Sequence, residues 1–327
     1  MPNPRYIAVL AVLPFPAGAG VQSALDPRGE AAGRIAEISW VLFIGAAVIF
    51  LLVIAVLSLA LYGPQRLRGV LGRRSLIVGA GIAFPVVVLS ALLVYSLNAA
   101  GFLSRAATPS GPRIEVMGEM WWWRVRYLDS DGRLLFETAN DIRIPSGQPV
   151  EIVLKSDNVI HSFWVPNLAG KLDMVPGHIN RLRVQAREPG IFRGQCAEYC
   201  GAQHAKMMFH VQALAPDDFL AWLALQQEPA REPIGSMLQV GKQYFMNACA
   251  QCHAVRGTAA IGTLGPDLTH VGSRLSLAAG VLPNNVGTLA GWIAGSQHIK
   301  PGNQMPSFNL LSGEGLRAVA QYMESLK

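Results

Sequence analysis

The stretch Cys196-Ala-Glu-Tyr-Cys200-Gly-Ala-Gln-His204-Ala-Lys-Met207 places two thiols, an imidazole and a thioether within twelve residues. A second thiol pair follows in Cys249-Ala-Gln-Cys252-His253, and the two clusters together contain all four cysteines of the 327-residue chain. Sulfur and imidazole ligands suit copper, zinc or iron, and an added thioether favours copper. A Cys-x-x-Cys-His run is typical of covalent attachment of a c-type haem. The sequence therefore predicts two different redox centres in one chain.

The first cluster has the donors that a pair of copper ions bridged by two thiolates would need. Cys196 and Cys200 can lie on one loop between strands, with His204 four residues further on. His161, at the end of a predicted strand, is the expected second imidazole, and Met207 supplies a weak axial sulfur. The alternatives are a disulfide between the two cysteines in an oxidising compartment, and a blue-copper site, which needs only one cysteine.

The second cluster predicts a haem domain. Cys249 and Cys252 would add to the haem vinyl groups, and His253 would become the proximal iron ligand. The alternative for this spacing is a redox-active disulfide. The segment follows a short predicted helix, an arrangement that resembles the class I cytochrome c fold, and Gly265-Pro-Asp-Leu268 resembles the loop that braces the proximal histidine in that family.

The distal haem ligand is expected on a loop before the last helix. Met305, in Asn303-Gln-Met305-Pro-Ser-Phe308, has this position. Met323 lies inside the predicted final helix and is expected to be a core residue. His270 and His298 are rival ligands, each expected instead to be a surface or packing residue. Methionine and histidine together raise the potential of a haem, which suits a carrier late in a respiratory chain.

Two apolar stretches, from about Ile38 to Tyr62 and from about Ser75 to Ala99, are long enough to cross a bilayer. No Asp or Glu occurs between Glu37 and Glu115. Helices buried in a soluble core are the alternative. The short connection contains four arginines and is therefore expected on the cytoplasmic side, which places the rest of the chain on the outer face. These arginines are Arg66, Arg68, Arg73 and Arg74.

The N-terminus resembles a secretory signal segment over residues 1–24. Tyr6–Leu13 is a short apolar run after Arg5, and small residues follow. Pro14 and Pro16 interrupt the run, so it is too short for a third span. Cleavage is expected near Ala17–Ala24.

The outer region divides into a β domain and a helical domain. Short strand-like runs separated by turn residues predict a β-sandwich or barrel. We expect two transmembrane helices over 30–100, a cupredoxin-like all-β domain over 101–218, a linker over 219–235 and an all-α cytochrome c domain over 236–327. The formal net charge of +6 comes largely from the arginine loop, and no Lys/Arg run predicts nucleic-acid binding.

The chain resembles subunit II of cytochrome c oxidase over roughly residues 30 to 215. The family loop is Cys-x-Glu-x-Cys-x-x-x-His-x-x-Met, and the segment Asp173-x-x-Pro176-Gly177 is similar to another family motif. This resemblance implies a binuclear copper-A centre. The implied ligands are His161, Cys196, Glu198 through its backbone carbonyl, Cys200, His204 and Met207. The Glu198 side chain would face a magnesium site shared with the catalytic subunit.

The run Met120-Trp-Trp-Trp-Arg124 cannot place all three indoles on one side of a strand. Amphipathic anchoring at the membrane surface is one explanation. In the family resembled, the first tryptophan of such a run lies on the electron-accepting surface, and Trp121 has that position.

With the fused haem domain, the whole chain resembles subunit II of a caa-type oxidase of the bacterial inner membrane. Its expected partners are oxidase subunit I and other oxidase subunits, membrane lipid, and cytochrome c or an upstream respiratory complex as donor. Oxygen reduction would occur in another chain. A copper-A nitric oxide reductase subunit and a metal-free scaffold like quinol oxidase subunit II are the alternatives.

Overall fold

The computed structural model describes residues 22–103 and 113–327 of the chain. The predicted signal run Tyr6–Leu13 and most of the predicted cleavage region lie outside these residues. The described residues form an apolar helical hairpin, a β-sandwich and a helical domain in chain order.

The hairpin contains the two predicted spans. Its helices are α1 (Glu30–Tyr62), α2 (Gln65–Leu71), α3 (Arg74–Val78) and α4 (Phe84–Leu103), with a π-helical turn over Gly79–Ala83. By length and composition alone, Glu30–Tyr62 and Arg74–Gly101 can each cross a membrane, and none of the residues in their most apolar stretches is buried. This exposure contradicts the alternative of helices in a soluble core. Pro85 follows the π turn at the start of α4, where a missing N–H donor is tolerated.

The β domain is a sandwich of two five-stranded sheets. Its strands are β1 (Arg113–Glu119), β2 (Trp122–Leu128), β3 (Leu134–Ala139), β4 (Asp141–Pro145), β5 (Val150–Ser156), β6 (His161–Trp164), β7 (Leu172–Met174), β8 (Asn180–Val184), β9 (Gly190–Cys196) and β10 (Met208–Leu214). The strand orders are β3-β2-β1-β5-β8 and β4-β10-β9-β6-β7. The β1–β5 and β4–β10 pairs are parallel and the other pairs antiparallel. This is the predicted cupredoxin-like all-β architecture.

Helix α5 (Pro216–Gln227) follows the sandwich directly. The sequence-based boundaries place most of this helix in the linker, but Phe219 and Trp222 are buried in the core of the β domain. The Trp222 ring packs 5.3 Å from the Tyr127 ring and 5.7 Å from the Phe136 ring, measured between centroids. Burial of these two aromatic rings stabilises α5 against the sandwich. The local sequence does not reveal this tertiary contact. The linker prediction was therefore too long, and the segment between the domains begins after Gln227.

The last domain is built on three helices, α6 (Ser236–Ala248), α7 (Val286–Ile299) and α8 (Gly313–Ser325), with a small two-stranded ribbon of β11 (Ser276–Leu277) and β12 (Leu282–Pro283). Helices α6 and α8 cross closely at Gly241, where an added Cβ atom would lie 2.1 Å from the Ala318 carbonyl oxygen. Phe245 and Tyr322 meet edge to face beside this crossing. The three helices agree with the predicted all-α architecture of this domain.

Candidate metal centre and haem-binding site

Strand register brings the first cluster together. Cys196 ends β9 and pairs with Phe163 on β6, so His161, the first residue of β6, lies beside the end of β9. The Ala197 N–H donates to the Ser162 carbonyl (3.0 Å), which extends this contact into the loop. Two residues distant in sequence therefore share one end of the sheet.

Each thiol of the cluster lies next to one imidazole. Cys196 Sγ is 3.8 Å from His161 Nδ1, and Cys200 Sγ is 3.6 Å from His204 Nδ1. The two sulfur atoms are 3.8 Å apart and both cysteines are free. Cys196, Cys200 and His161 hold their ligand atoms within 4.8 Å of one another and are all buried. The geometry favours a metal centre over the disulfide alternative.

Two weaker donors complete the cluster. Met207 Sδ lies 3.7 Å from Cys200 Sγ, and the Glu198 carbonyl oxygen lies 3.1 Å from Cys196 Sγ. Two thiols, two imidazoles, a thioether and a carbonyl fit a pair of copper ions, because soft sulfur and imidazole donors are those that copper prefers. A mononuclear blue-copper site would leave one thiol without a role.

The two thiols do not ionise independently. Their mutual hydrogen bond lowers the pKa of Cys196, and the His161 ring acts in the same direction. The same contact raises the pKa of Cys200, and burial adds to the rise. The reason is that a second thiolate would lie against the first in a poorly solvated pocket. A bound metal removes this conflict, because a coordinating thiol is deprotonated.

Gly118 is a residue of this site that the sequence analysis missed. An added Cβ atom on Gly118 would lie 2.7 Å from the His161 ring. The ring also donates a hydrogen bond from Nε2–H to Asn158 Oδ1 at 3.2 Å, which leaves Nδ1 facing the sulfur. An isolated glycine inside a strand indicates a close approach by another group, and this was the available signal.

The three tryptophans have three different environments. The Trp121 indole N–H donates to the Cys200 carbonyl at 2.8 Å, which joins this ring to the copper-type loop. Trp123 is fully buried among the aromatic rings of the sandwich. Trp122 lies under the Arg124 guanidinium, 4.7 Å from its carbon to the ring centroid. The run thus spans the surface and the core, as its alternation requires.

The Glu198 side chain points away from the thiols and is partly exposed. Lys171 Nζ lies 2.8 Å from Asp173 Oδ1 and 3.4 Å from Glu198 Oε2, so one ammonium group bridges two carboxylates. The hydrogen bond from Lys171 lowers the pKa of Asp173. Asp173 is therefore part of a surface charge cluster at the copper-type loop.

The second cluster lies at the end of α6. Cys249 caps the helix, and the His253 ring is held through a hydrogen bond between Nδ1 and the Pro266 carbonyl at 2.8 Å. Gly265 lies so close that an added Cβ atom would be 2.5 Å from the ring. Burial lowers the pKa of His253, which favours the neutral form that an iron ligand needs. The Nε2 atom is left for the metal, and these residues fit a covalently bound haem.

Met305 lies on the loop between α7 and α8, against the same apolar core as Cys249. The Met305 N–H donates to Asn303 Oδ1 at 2.8 Å, and its carbonyl accepts from Gln297 at 2.8 Å. The backbone of this loop is therefore fixed.

The rivals of Met305 have other roles. Met323 is buried in the core formed by the helices, as expected. His270 is buried and contacts the Glu228 carbonyl through Nε2, and His298 is exposed. Both histidines occupy the packing or surface positions that the sequence predicts for them.

Fold and site together fit a membrane subunit with two exposed domains, one with donors that suit copper and one with donors that suit a c-type haem. Residues 126–214 match the family described as cytochrome c oxidase subunit II, periplasmic domain, and residues 238–327 match cytochrome c. A match to the first implies copper A and a match to the second implies haem.

The relatives of the chain are named cytochrome c oxidase subunit 2. Cytochrome c oxidase subunit 2 of Alkalihalophilus pseudofirmus is 35% identical over 320 residues, which cover 93% of this chain and 91% of that protein. The chain belongs to the cytochrome c oxidase subunit 2 family. The Bacillus subtilis protein of that name is 30% identical over 65% of this chain and 62% of its own length. The solved periplasmic domain of subunit II from Bradyrhizobium japonicum is 25% identical over 38% of this chain and 96% of its own, with a TM-score of 0.34.

Proposed function

We propose that this chain is the subunit at which electrons enter a caa-type, proton-translocating cytochrome c oxidase. Electrons from cytochrome c would pass through the fused haem c and the binuclear copper-A centre to the catalytic subunit, where oxygen is reduced to water. The observation that carries the proposal is the Trp121 indole, which is bonded to the copper-type loop and lies against the haem domain. The relative from Alkalihalophilus pseudofirmus, similar over nearly the whole chain, supports it.

Some of the proposed residues bind the two redox groups, and others orient the binding residues. His161, Cys196, Cys200, His204, Met207 and the Glu198 carbonyl would hold copper. Cys249, Cys252, His253 and Met305 would hold the haem. When bound, each group accepts and releases one electron without gain or loss of atoms. The protein fixes the imidazole rings through Asn158 and Pro266, and this fixes which ring nitrogen faces each metal.

Glu198 is proposed to contribute also to a magnesium site at the contact with oxidase subunit I. Carboxylate oxygens are the ligands that magnesium prefers, and the Glu198 carboxylate is partly exposed beside Asp173 and Lys171. An arriving metal ion would have to displace the Lys171 ammonium from Glu198, since both cannot occupy the same side of the carboxylate.

The proposed location is the bacterial inner membrane, with both α-helical spans in lipid and both redox domains on the outer face. The arginines around α2 support this orientation, because such residues are enriched in cytoplasmic loops. Cytochrome c or an upstream respiratory complex is the proposed donor, and nucleic acid has no role.

The test is made on the whole complex, purified in detergent by a tag on this subunit. Reduced cytochrome c is supplied while oxygen and nitric oxide consumption are followed in parallel. Rapid oxygen uptake supports the oxidase. Nitric oxide turnover with negligible oxygen uptake would contradict it and favour the reductase alternative. Absence of copper from the complex would instead support the metal-free scaffold.

A further inference from the structure

Trp121 is partly buried, and its ring lies against the chain's own haem domain. Its ring lies between two glycines, one from each domain: an added Cβ atom would lie 3.2 Å from the ring at Gly201 and 3.8 Å from it at Gly302. Both glycines have positive φ, of +111° and +80°, a backbone shape that favours glycine, and at Gly201 the close approach favours it as well. The surface over Trp121 is therefore an intramolecular contact.

Three side chains fasten the haem domain at this contact. On the copper-type loop, Gln203 donates to the Pro301 carbonyl and Lys206 to the Ile299 carbonyl, both at 2.7 Å. From the haem domain, Lys300 donates to the Trp121 carbonyl at 2.6 Å and to the Ala278 carbonyl at 3.1 Å. The exposed fractions of Gln203 and Lys300 are only 7% and 3%.

The acceptors in these contacts are backbone carbonyls and not carboxylates. Arg124 and Arg143 extend the pattern, donating to the carbonyls of Thr263 and Ser273 at 3.0 and 3.2 Å. A buried hydrogen bond from a charged donor is strong and is screened little by salt. Burial lowers the pKa of Lys300 to about 7, and a neutral amine can still donate to both carbonyls, so the contact does not require the charge.

We propose that Gln203, Lys206 and Lys300 form a clamp that keeps the haem domain docked over Trp121, so that an external donor can reach copper only through the haem. The inference rests on the proposed function for its redox part. With both groups bound, one electron would pass from the haem held by Cys249, Cys252 and His253 to the copper pair held by Cys196 and Cys200, and no bond would form or break. These three side chains act as positioning residues.

The clamp is tested on the complete oxidase by hydrogen exchange. The Met208 N–H donates to the Ala279 carbonyl at 3.0 Å across the contact and reports docking directly. Loss of the Lys300 hydrogen bond to the Trp121 carbonyl is expected to raise the exchange rate of the Met208 N–H by up to about tenfold in Lys300→Met. Lys242→Met, which removes a lysine paired with Glu232 away from the contact, should leave exchange unchanged. Unaltered exchange in Lys300→Met would overturn the clamp.

The redox consequence is tested by rapid mixing with reduced cytochrome c at low and high salt. We expect the haem to be reduced first, and copper to follow at a rate that does not change with ionic strength. Copper reduced before the haem, or a transfer that slows steeply with salt, would overturn the proposal. A sample with no reducible copper refutes the proposed function instead, and the exchange experiment still decides whether the domains are clamped.

Discussion

Single residues decide whether the copper-type site can form, and Gly118 does so without providing a ligand. Its missing side chain leaves the space that the His161 ring occupies. A methyl group at that point would overlap the ring, and His161 is buried with little room to move. The position of the imidazole relative to Cys196 therefore depends on a glycine on a neighbouring strand.

Gly118→Ala is expected to displace His161 and weaken copper binding. Overpacking of a filled site costs about 1–3 kcal/mol, so the β domain should fold with reduced stability. The measurement is copper content together with the electron spin resonance pattern of the mixed-valence pair. Gly291→Ala is the control, because open space surrounds that position. A native pattern at full copper content in Gly118→Ala would show that the ring does not need this space.

Met305→Ala is expected to leave the haem attached, because Cys249 and Cys252 would still hold it covalently, and to lower its potential. The reason is that a thioether paired with histidine raises the potential of a haem. Redox titration of the haem absorbance measures the effect. Met237→Ala, in the partly exposed first turn of α6, is the control. A potential equal to that of the unsubstituted chain would exclude Met305 as ligand.

At the scale of elements, the crossing of α6 and α8 controls the haem domain. Helix α6 ends at Ala248 and Cys249 caps it, so the angle at which α6 crosses α8 sets where the thiols lie. The crossing is tight at two places: Gly241 meets the Ala318 carbonyl, and Gly315 meets the Tyr244 ring. Backbone contact of this kind needs a residue without a side chain on at least one helix.

Gly241→Ala is expected to separate the two helices and destabilise the haem domain by about 1–3 kcal/mol. Thermal unfolding followed by haem absorbance would show an earlier transition, while that of the β domain stays unchanged. Gly313→Ala, at the exposed start of α8 with open space around it, should unfold at the native temperature. If Gly241→Ala unfolded together with this control, the crossing would not limit stability.

Some elements of this fold can be predicted from the sequence, and others cannot. Both spans and the β-sandwich were predictable, because each has a long apolar run or a regular alternation. The ligand loop was predictable because its donors are adjacent in the chain. Helix α5 was assigned to the linker, because docking of Phe219 and Trp222 on the sandwich is a tertiary effect. Gly118 and Lys300 were missed for the same reason: their partners are distant in sequence.

At the scale of the whole molecule, the β domain is hydrogen-bonded to the start of the first apolar helix, α1. The N–H groups of Arg28 and Gly29 donate to the Asn167 carbonyl at 2.7 and 2.9 Å, and that of Ala32 donates to the Leu168 carbonyl. Gly29 allows this approach, since an added Cβ atom would lie 2.2 Å from the Leu168 carbonyl oxygen. The segment that follows β6 is thus tied to the start of α1.

The haem domain is joined to the β domain by the clamp contacts and by the chain segment between α5 and α6, which we call the tether. The two kinds of attachment lead to different expected rates of electron transfer. The tether runs from the end of α5 to α6 and includes Ile234, which is 90% exposed. If the domain moved freely and met copper by collision, the rate would depend on tether length, falling roughly as its −3/2 power. If the clamp at Lys206 and Lys300 holds the domain, tether length has no effect on the docked geometry.

A flexible Gly/Ser insertion of about ten residues between Pro233 and Ile234 separates these cases. We expect electron transfer from haem to copper to keep its native rate, because the contacts across Trp121 do not involve the insertion. Combined with Lys300→Met, the same insertion should slow transfer more than either change alone, since a weakened contact then depends on the local concentration of the domain. Transient absorbance of haem and copper after rapid reduction measures both rates. Slowing by the insertion alone would mean that the tether, and not the clamp, brings the two centres together.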